Sequence, residues 1–368
     1  MFHPFEIAFC GLSGSGKTTL VTRVLRSFRD AGHEPAYFKH GCHHVDIDRE
    51  GKDSFRARQA GALSVMVADP VKEALISETH GLLSSSSLLL ERDMLFIEGL
   101  KELAIPKLLL VDADRSILTR LEDGSVSQVI ALVHNGQAEG LERFGLPLVC
   151  RDDVDGVTRL VSNHFSAQVA ATPVFGLVLA GGFSTRMGRD KALINYGEAT
   201  QLERTASLLS AHCGEVFVSC RREQSPAYAA FGLPIIEDCY LGLGPLGGLL
   251  SAQRARPDAA WLVAACDLPF IDKVDVASLL EGRDPFRFST AFVHPGSRIP
   301  EPLLTLYEPK SFRRLLERHA SGNDSLCSFL KQSRISAIDP PGSATLVNAN
   351  DPGAAQEAGA SLSGGGAA

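Results

Sequence analysis

Two glycine-rich loops organise this sequence, and each follows a short apolar run and precedes a helix-like pattern. The first loop begins at Gly11 after the run FEIAFC, and the second begins at Gly181 after FGLVLA. Two strand–loop–helix starts about 170 residues apart predict two α/β domains in tandem. Because the two loops differ in sequence, the chain is expected to be a fusion of unlike domains rather than an internal duplication.

Composition narrows the class of protein. The 368 residues are 45% hydrophobic and 21% charged, which is ordinary for globular domains and excludes a largely disordered chain. The net charge of -7 argues against a nucleic-acid binder with a broad basic face but leaves small anionic ligands open. No apolar run reaches the roughly 18 residues that cross a bilayer, so no membrane contact is expected. The eight cysteines include no CxxC pair, which predicts a reducing, cytoplasmic location.

The hydrophobic pattern predicts the fold class. In the first domain, helical spacing over 20–28 precedes the strand candidates PAYFK, LSVMVA, DMLFIEG, PKLLLV and QVIALV, which predict a mostly parallel sheet with helices on its faces. Residues 163–173 lose periodicity and end in proline, which predicts a linker. We therefore expect two tandem three-layer α/β domains over residues 1–165 and 173–356, and a disordered Gly/Ser/Ala-rich tail over 357–368.

The second domain is predicted to alternate in the same way. Its strand candidates are VFVSC and AWLVAAC. Its predicted helices lie at 201–212, from 247 onward, at 311–319 and at 324–332.

The first loop, GLSGSGKT over Gly11–Thr18, matches the pattern GxxxxGK[ST] with a strand before it and a helix after it. This predicts a P-loop, whose backbone N–H groups turn toward a phosphate at a positively polarised helix start. Lys17 is expected to reach the β- and γ-phosphates, and Thr18 to offer its hydroxyl to Mg²⁺. Glu98, at the end of an apolar strand, is expected to support the metal shell or to orient a water. The predicted nucleotide-binding residues are Gly11, Ser13, Gly14, Ser15, Gly16, Lys17, Thr18, Thr19 and Glu98.

A histidine-rich segment, KHGCHHVDIDREGKDS, begins at Lys39, the last residue of the predicted strand PAYFK. One interpretation is a metal site, although the spacing is too tight for a closed tetrahedral site from this segment alone. The other is a polar loop that contacts nucleotide or a partner. The residues that bear on these two interpretations are His40, Cys42, His43, His44, Asp46, Asp48, Lys52 and Asp53.

The second loop, LAGGFSTRMGRDKALI, brings glycines and two cations to one turn. Gly181 and Gly182 let the backbone approach a phosphate or a base closely. Arg186 and Lys191 can offset charge on a triphosphate. This combination meets the needs of nucleotidyl transfer, in which backbone donors hold the triphosphate and cations stabilise the pentacoordinate phosphorus and the departing pyrophosphate. We expect Lys191, Arg186 and Asp267 to be catalytic.

Three other features are expected at the same edge of the second sheet. Asp267, in CDLPF after the run AWLVAA, can bind a Mg²⁺ that bridges phosphate oxygens. Asp238, in IEDC, either contacts a base or ribose or is an ordinary acidic residue near a strand end. GPLGG over 244–248 is either a turn that faces the nucleotide or a simple helix start. The predicted nucleotide-binding residues of this domain are Leu179, Ala180, Gly181, Gly182, Lys191, Asp238, Gly244 and Asp267.

The GSGKTTL loop, the histidine-rich segment and the IEGLK and PKLLL strands together resemble the molybdopterin-guanine dinucleotide biosynthesis adaptor family, a P-loop GTP-binding family. The resemblance covers residues 5–160. It implies a P-loop NTPase-like first domain that binds GTP, hydrolyses it slowly and assists cofactor delivery.

The strings LAGGFSTRMGRDK, CDLPF, PEPLLTLY and VNANDP resemble the molybdenum cofactor guanylyltransferase family, within the MobA-like nucleotidyltransferases, over residues 174–352. The resemblance implies a Rossmann-like domain that transfers GMP from GTP to molybdopterin or molybdenum cofactor. It also implies Mg²⁺ on Asp267 and pterin contacts from Asn348 and Asn350. The paired glycines of LAGG favour the guanylyl branch over cytidylyl relatives, which tend to carry LAAG.

Two alternatives remain open on the sequence. One is a cytidylyl or other nucleotidyltransferase on the same fold. The other is a GTPase or carrier whose second domain only binds the cofactor. Molybdoenzyme apoproteins and other cofactor-biosynthesis proteins are the protein partners that the resemblance suggests, and the oligomeric state is left open.

Overall fold

The structure is a computed structural model that describes residues 2–40, 48–77, 87–182, 190–196, 199–342 and 345–347. The chain divides into two compact units between Ser166 and Ala167. Each unit contains a sheet with parallel strands and flanking helices. The predicted fold class, two tandem α/β domains, is therefore confirmed.

A parallel sheet forms the centre of the first unit. Its described strands are β1 (Glu6–Cys10), β2 (Pro35–Lys39), β3 (Ser64–Ala68), β4 (Glu73–Ser77), β5 (Met94–Glu98), β6 (Lys107–Leu110), β7 (Val129–His134) and β8 (Leu148–Cys150). Six of them form the central sheet in the order β2-β5-β1-β6-β7-β8, and every neighbouring pair is parallel. The loops that follow β1, β2 and β5 therefore meet at one edge.

The first helix of this unit has the helical spacing of apolar residues that the sequence predicts. The helices of the unit are α1 (Lys17–Asp30), α2 (Asp53–Gln59), α3 (Ile117–Glu122) and α4 (Val154–Ala171), with 3₁₀ turns at Ser87–Glu91 and Glu142–Phe144. The buried side of α1 consists of Leu20, Val21, Val24 and Phe28, which fall on one face at helical spacing. This face packs the helix onto the sheet directly after the glycine loop.

Two predictions for the first unit are confirmed only in part. The predicted linker at 163–173 contains the boundary between the two units, but it is helical as far as Ala171, because a buried helical face runs to Phe165 and the alanines that follow favour helix. The strand predicted at LSVMVA exists as β3, but it pairs antiparallel with β4 in a separate two-stranded sheet. Its short apolar run predicts a strand but does not choose the partner.

The second unit is built on a mixed sheet. Its described strands are β9 (Val174–Leu179), β10 (Asn195–Tyr196), β11 (Ala199–Thr200), β12 (Val216–Cys220), β13 (Ile235–Glu237), β14 (Ala260–Ala265), β15 (Ser289–Val293), β16 (Pro300–Tyr307) and β17 (Ile335–Ile338). Seven of them follow the order β13-β12-β9-β14-β16-β15-β17, while β10 and β11 form a short hairpin. The strands β13, β12, β9 and β14 are mutually parallel, and β16 is antiparallel to both of its neighbours. Four carboxyl ends thus share one edge.

The helices of the second unit are α5 (Gln201–Ser210), α6 (Ser225–Tyr228), α7 (Pro245–Ala255), α8 (Lys273–Glu281), α9 (Ser311–Ala320) and α10 (Leu326–Gln332), with 3₁₀ turns at Lys191–Leu193 and Ala229–Phe231. Four of these helices, α5, α7, α9 and α10, lie close to their predicted positions, whereas α6 and α8 were not predicted. Helix α7 begins two residues before the predicted Gly247, because Pro245 is suited to a first helical position. Helix α5 begins at a capping box formed by Thr200 and Glu203.

The central strand of the second sheet is buried along its whole length. All six residues of β14 are buried, and Trp261 packs against Phe175 and Phe217 at ring-centroid distances of 5.6 and 5.4 Å. This aromatic cluster anchors β9, β12 and β14 against one another. Within the described ranges, no helix combines the length and the apolar character needed to cross a bilayer. The predicted disordered tail lies outside the described residues.

Candidate nucleotide-binding sites

The first site is the turn between β1 and α1. Gly16, directly before α1, has a left-handed backbone with φ of 88°, and an added Cβ there would lie 3.0 Å from the side chain of Arg151. A side chain would therefore be strained and crowded at this position. The Oγ of Ser15 is buried and lacks a hydrogen-bond partner among the described residues, which fits a loop built to bind phosphate oxygens.

Thr18 and Glu98 meet at the carboxyl edge of this sheet. The Thr18 hydroxyl lies 2.8 and 2.9 Å from the two carboxylate oxygens of Glu98, and the Tyr37 hydroxyl donates to Oε2 of Glu98 at 2.7 Å. Burial acts to raise the pKa of Glu98, but the hydrogen bonds from Tyr37, Thr18 and Lys39 outweigh it and the pKa is lowered. Glu98 is therefore held as a carboxylate, the form that can bind a cation.

Lys17 folds back onto its own loop. Its Nζ donates to the carbonyl oxygen of Leu12 at 2.6 Å. Burial lowers the pKa of Lys17, and the nearby charge of Glu98 acts in the opposite direction. A phosphate placed in the loop would replace the Leu12 carbonyl as the partner of this ammonium.

Three residues at this site were not predicted. Tyr37 and Lys39 come from β2 and contact Glu98, and the strand end PAYFK was a usable signal because β2 ends at the same edge. Arg151 follows β8, and its Nη1 lies 3.4 Å from the carbonyl oxygen of Ser15. No strand was predicted before Arg151, so no local pattern placed its side chain near the P-loop.

The histidine-rich segment is described only at its ends. The backbone N–H of His40 donates to the Glu98 carbonyl at 2.9 Å, and Asp48 accepts from Ser54 at 2.8 Å and lies 3.8 Å from Arg58. Cys42, His43, His44 and Asp46 lie outside the described residues. Among those described, no cluster of three or more His, Cys, Asp or Glu side chains could hold a metal. Both interpretations of the segment remain predictions.

The second site is a cavity of about 1060 Å³ in the second unit. It opens where β9, β12, β13 and β14 end, which is the edge at which α/β sheets bind ligands. All eight residues predicted to bind nucleotide in this domain line it: Leu179, Ala180, Gly181, Gly182, Lys191, Asp238, Gly244 and Asp267. Arg186, Asn348 and Asn350 were also predicted, but they lie outside the described residues.

Asp238 is fixed against the glycine loop. The Ser219 hydroxyl donates to Oδ1 of Asp238 at 2.7 Å, while an added Cβ at Gly181 would lie 2.9 Å from Oδ2. Burial raises the pKa of Asp238, with the Ser219 hydrogen bond and the Arg221 charge acting to lower it. The carboxylate therefore points in a defined direction and borders the cavity. A side chain that distinguishes between ligands must be held in this way.

Asp267 carries an unsatisfied oxygen. Its Oδ1 is buried without a hydrogen-bond partner in the described part of the chain. Burial raises the pKa of Asp267, the positive charge of Lys191 lowers it, and the charge of Glu301 raises it. An orphaned carboxylate oxygen on a residue that lines a cavity fits a divalent cation, since Mg²⁺ is commonly held by one or two carboxylates together with substrate phosphates.

Residues that were not predicted bind the two described ends of the second loop, at Ala180–Gly181 and at Asp190–Ala192. The Tyr228 hydroxyl lies 2.6 Å from Oδ2 of Asp190 and 3.2 Å from the Ala180 carbonyl oxygen, and Oδ1 of Asp190 accepts from the backbone N–H of Ala192 at 3.0 Å. Arg221 donates from Nε to the Gly181 carbonyl oxygen at 3.0 Å. Tyr228 is 38 residues from Asp190 in the sequence, so no local pattern could have found it.

These two glycine loops, each at the carboxyl end of parallel strands, define a protein with a P-loop nucleotide-binding domain and a nucleotidyltransferase domain. The molybdopterin-guanine dinucleotide biosynthesis adapter protein of Escherichia coli is 31% identical over 38% of this chain and 89% of its own length. A probable molybdenum cofactor guanylyltransferase of Clostridium perfringens is 34% identical over 40% of this chain and 72% of its own length. The chain belongs to both families, the adapter family in its N-terminal half and the guanylyltransferase family in its C-terminal half, as the motifs predicted.

The family profiles place the two halves in the same order. Residues 6–135 match Molybdopterin guanine dinucleotide synthesis protein B, and residues 176–337 match the MobA-like NTP transferase domain. A molybdenum cofactor biosynthesis bifunctional protein of Synechocystis is 32% identical over 50% of this chain, and the match covers 54% of that protein. The chain therefore matches about half the length of this bifunctional relative.

Proposed function

We propose that the second domain transfers GMP from GTP to molybdopterin or molybdenum cofactor and releases pyrophosphate, while the first domain binds GTP and assists. The observation that carries the proposal is the cavity of about 1060 Å³, which gathers a glycine loop, Lys191, Asp238 and Asp267 at one sheet edge. Membership of the guanylyltransferase family supports guanine as the base and a pterin phosphate as the acceptor.

The reaction needs no protein nucleophile. An oxygen of the acceptor's terminal phosphate attacks the α-phosphorus of GTP and forms the new phosphoanhydride. The bond between the α-phosphorus and the bridging oxygen breaks, and pyrophosphate leaves with that electron pair. Catalysis then consists of positioning and of stabilising charge on phosphate oxygens.

The lining residues divide this work. Backbone N–H groups of the glycine loop at Gly181 and Gly182 bind the triphosphate, and Lys191 and Arg186 stabilise charge in the transition state. Asp238 and the turn at Gly244 contact the nucleoside. Asn348 and Asn350 contact the pterin, a role that rests on the resemblance alone.

Mg²⁺ belongs to this proposal because the donor set fits it. Asp267 would hold the ion in the second domain through its unpartnered Oδ1, and Thr18 with Glu98 would support an ion at the P-loop. When bound, Mg²⁺ supplies stabilisation of negative charge on phosphate oxygens. Molybdoenzyme apoproteins are proposed as recipients of the product because the first domain belongs to an adapter family.

The deciding experiment is pyrophosphate release by the purified full chain with Mg²⁺, molybdopterin, and GTP or CTP in parallel. We expect release that requires the pterin and prefers GTP. Lys191→Ala is expected to lower the rate by about 10²–10³-fold while melting near the wild-type temperature. Lys273→Ala, at an exposed lysine that starts α8, is the matched control.

Two other results would assign other functions. Preference for CTP would indicate a cytidylyltransferase. Phosphate release from GTP without any pterin-dependent pyrophosphate would leave a GTPase or carrier.

A further inference from the structure

A second lysine lies at the P-loop. The Nζ of Lys39, the last residue of β2, is 3.2 Å from Oε1 of Glu98 and 3.4 Å from Oγ1 of Thr18. The parallel register of β2 and β5 sets Lys39 opposite Glu98, so the backbone of the sheet fixes this arrangement. The Lys39 side chain is 42% exposed, whereas that of Glu98 is 6% exposed. The ammonium therefore borders solvent and can turn toward a ligand.

The P-loop lysine does not make these contacts. Lys17 donates to the carbonyl oxygen of Leu12 in its own loop. In this structure the ammonium that lies against Thr18 and Glu98 belongs to Lys39. A divalent cation at a P-loop would use the same threonine hydroxyl and acidic side chain. Lys39 and the metal therefore compete for the same two partners.

We propose that Lys39 is a second phosphate-binding cation of the P-loop, and that it takes the cation position beside Thr18 and Glu98 when no metal is bound. The inference rests on the proposed binding of GTP by the first domain. Lys17 and Lys39 together bring two ammonium groups to the triphosphate. Each charge-assisted hydrogen bond to a phosphate strengthens binding, and the effect is largest where no metal offsets the phosphate charge.

A direct consequence is a weak dependence of GTP binding on Mg²⁺. Without metal, the Lys39 ammonium beside Thr18 and Glu98 supplies positive charge to the phosphates, and a metal bound at these two partners takes over that role. Loss of Lys39 should therefore weaken metal-free GTP binding more than Mg²⁺-supported binding. A purely structural lysine would weaken both equally.

The test measures GTP affinity of the full chain by calorimetry, once in EDTA and once in Mg²⁺. The P-loop component of the isotherm is the part that Lys17→Ala removes. We expect Lys39→Met to weaken that component about ten-fold or more in EDTA, and several-fold less in Mg²⁺. Lys39→Arg should retain most of the metal-free affinity because it keeps the charge.

Lys101→Met is the matched control. Lys101 lies near enough to influence Lys17 electrostatically, but its ion-pair partner is Glu102 at 3.7 Å. It should change both affinities slightly and by the same factor. Equal losses in EDTA and Mg²⁺ for Lys39→Met, or no loss in either, would overturn the proposed role of Lys39. Neither result would contradict the proposed GTP binding by the first domain. A wild-type chain without any P-loop component would instead contradict the GTP-binding function of the first domain.

Discussion

The backbone of Gly181 approaches the carboxylate of Asp238 so closely that an added Cβ would lie 2.9 Å from Oδ2. The other oxygen of Asp238 accepts from Ser219 at 2.7 Å, which limits how far the carboxylate can move away. The loop and the aspartate thus set each other's position at the mouth of the transferase cavity.

Gly181→Ala should therefore displace Asp238 and raise the KM for GTP by about 10- to 100-fold, because small displacements of positioning groups have large effects. Steady-state pyrophosphate release measures this change. Gly214→Ala is the matched control, since a Cβ there meets its nearest neighbour, the Val174 carbonyl oxygen, at 4.0 Å. An unchanged KM in Gly181→Ala would show that the contact does not matter for GTP.

Asp267→Asn should lower the transferase activity without lowering the stability of the fold. The activity is expected to fall by about 10²–10³-fold, because the cavity loses the carboxylate that faces the phosphates. Burial raises the pKa of Asp267, so the folded chain binds this proton more tightly than the unfolded chain does. The ionised carboxylate then opposes folding at neutral pH, and the variant should melt at or above the wild-type temperature.

The difference in melting temperature between Asp267→Asn and wild type should depend on pH. As the pH falls through the raised pKa toward the ordinary aspartate value of 3.8, wild-type Asp267 becomes protonated in the folded state. The difference in melting temperature between Asp267→Asn and wild type should shrink over that range, while wild-type activity declines. Calorimetry at several pH values checks the first trend and rate profiles check the second. A variant that melts far below the wild type at neutral pH contradicts this reading.

Tyr228→Phe tests a positioning residue. The Tyr228 hydroxyl ties Asp190 to the start of the loop at Ala180 and so holds the segment that carries Lys191. Loss of this charge-assisted hydrogen bond should lower kcat by about ten-fold with a smaller change in KM. In a double-mutant cycle, adding Tyr228→Phe to Lys191→Ala should cost little further rate. Fully additive losses would place Tyr228 outside the positioning of Lys191.

Lys17→Ala separates the two nucleotide sites. GTP hydrolysis without pterin should be lost, because the P-loop lysine stabilises phosphate charge. Pterin-dependent pyrophosphate release should remain near the wild-type rate. Unchanged hydrolysis in Lys17→Ala would assign that activity to a site other than the P-loop.

Much of both candidate sites could be predicted because their chemistry lies in short contiguous strings. GLSGSGKT and LAGG each follow a strand, and the apolar run before CDLPF brings Asp267 to a strand end. Local backbone geometry and the shared carboxyl edge of parallel strands then bring the residues together. This is why all eight predicted residues of the second domain line one cavity.

The remaining features depend on which strands become neighbours. Lys39 meets Glu98 only because β2 pairs with β5, and Tyr228 reaches Asp190 across 38 residues. The pattern of β3 predicted a strand but not its separate hairpin, and the proline at 173 suggested a linker where α4 continues to Ala171. By itself, the sequence determined the loops, the helical faces and the chemistry at the strand ends, since these depend on residues close together in the chain. Only the tertiary structure decided which side chains support that chemistry, because strand order and long-range packing bring distant residues into contact.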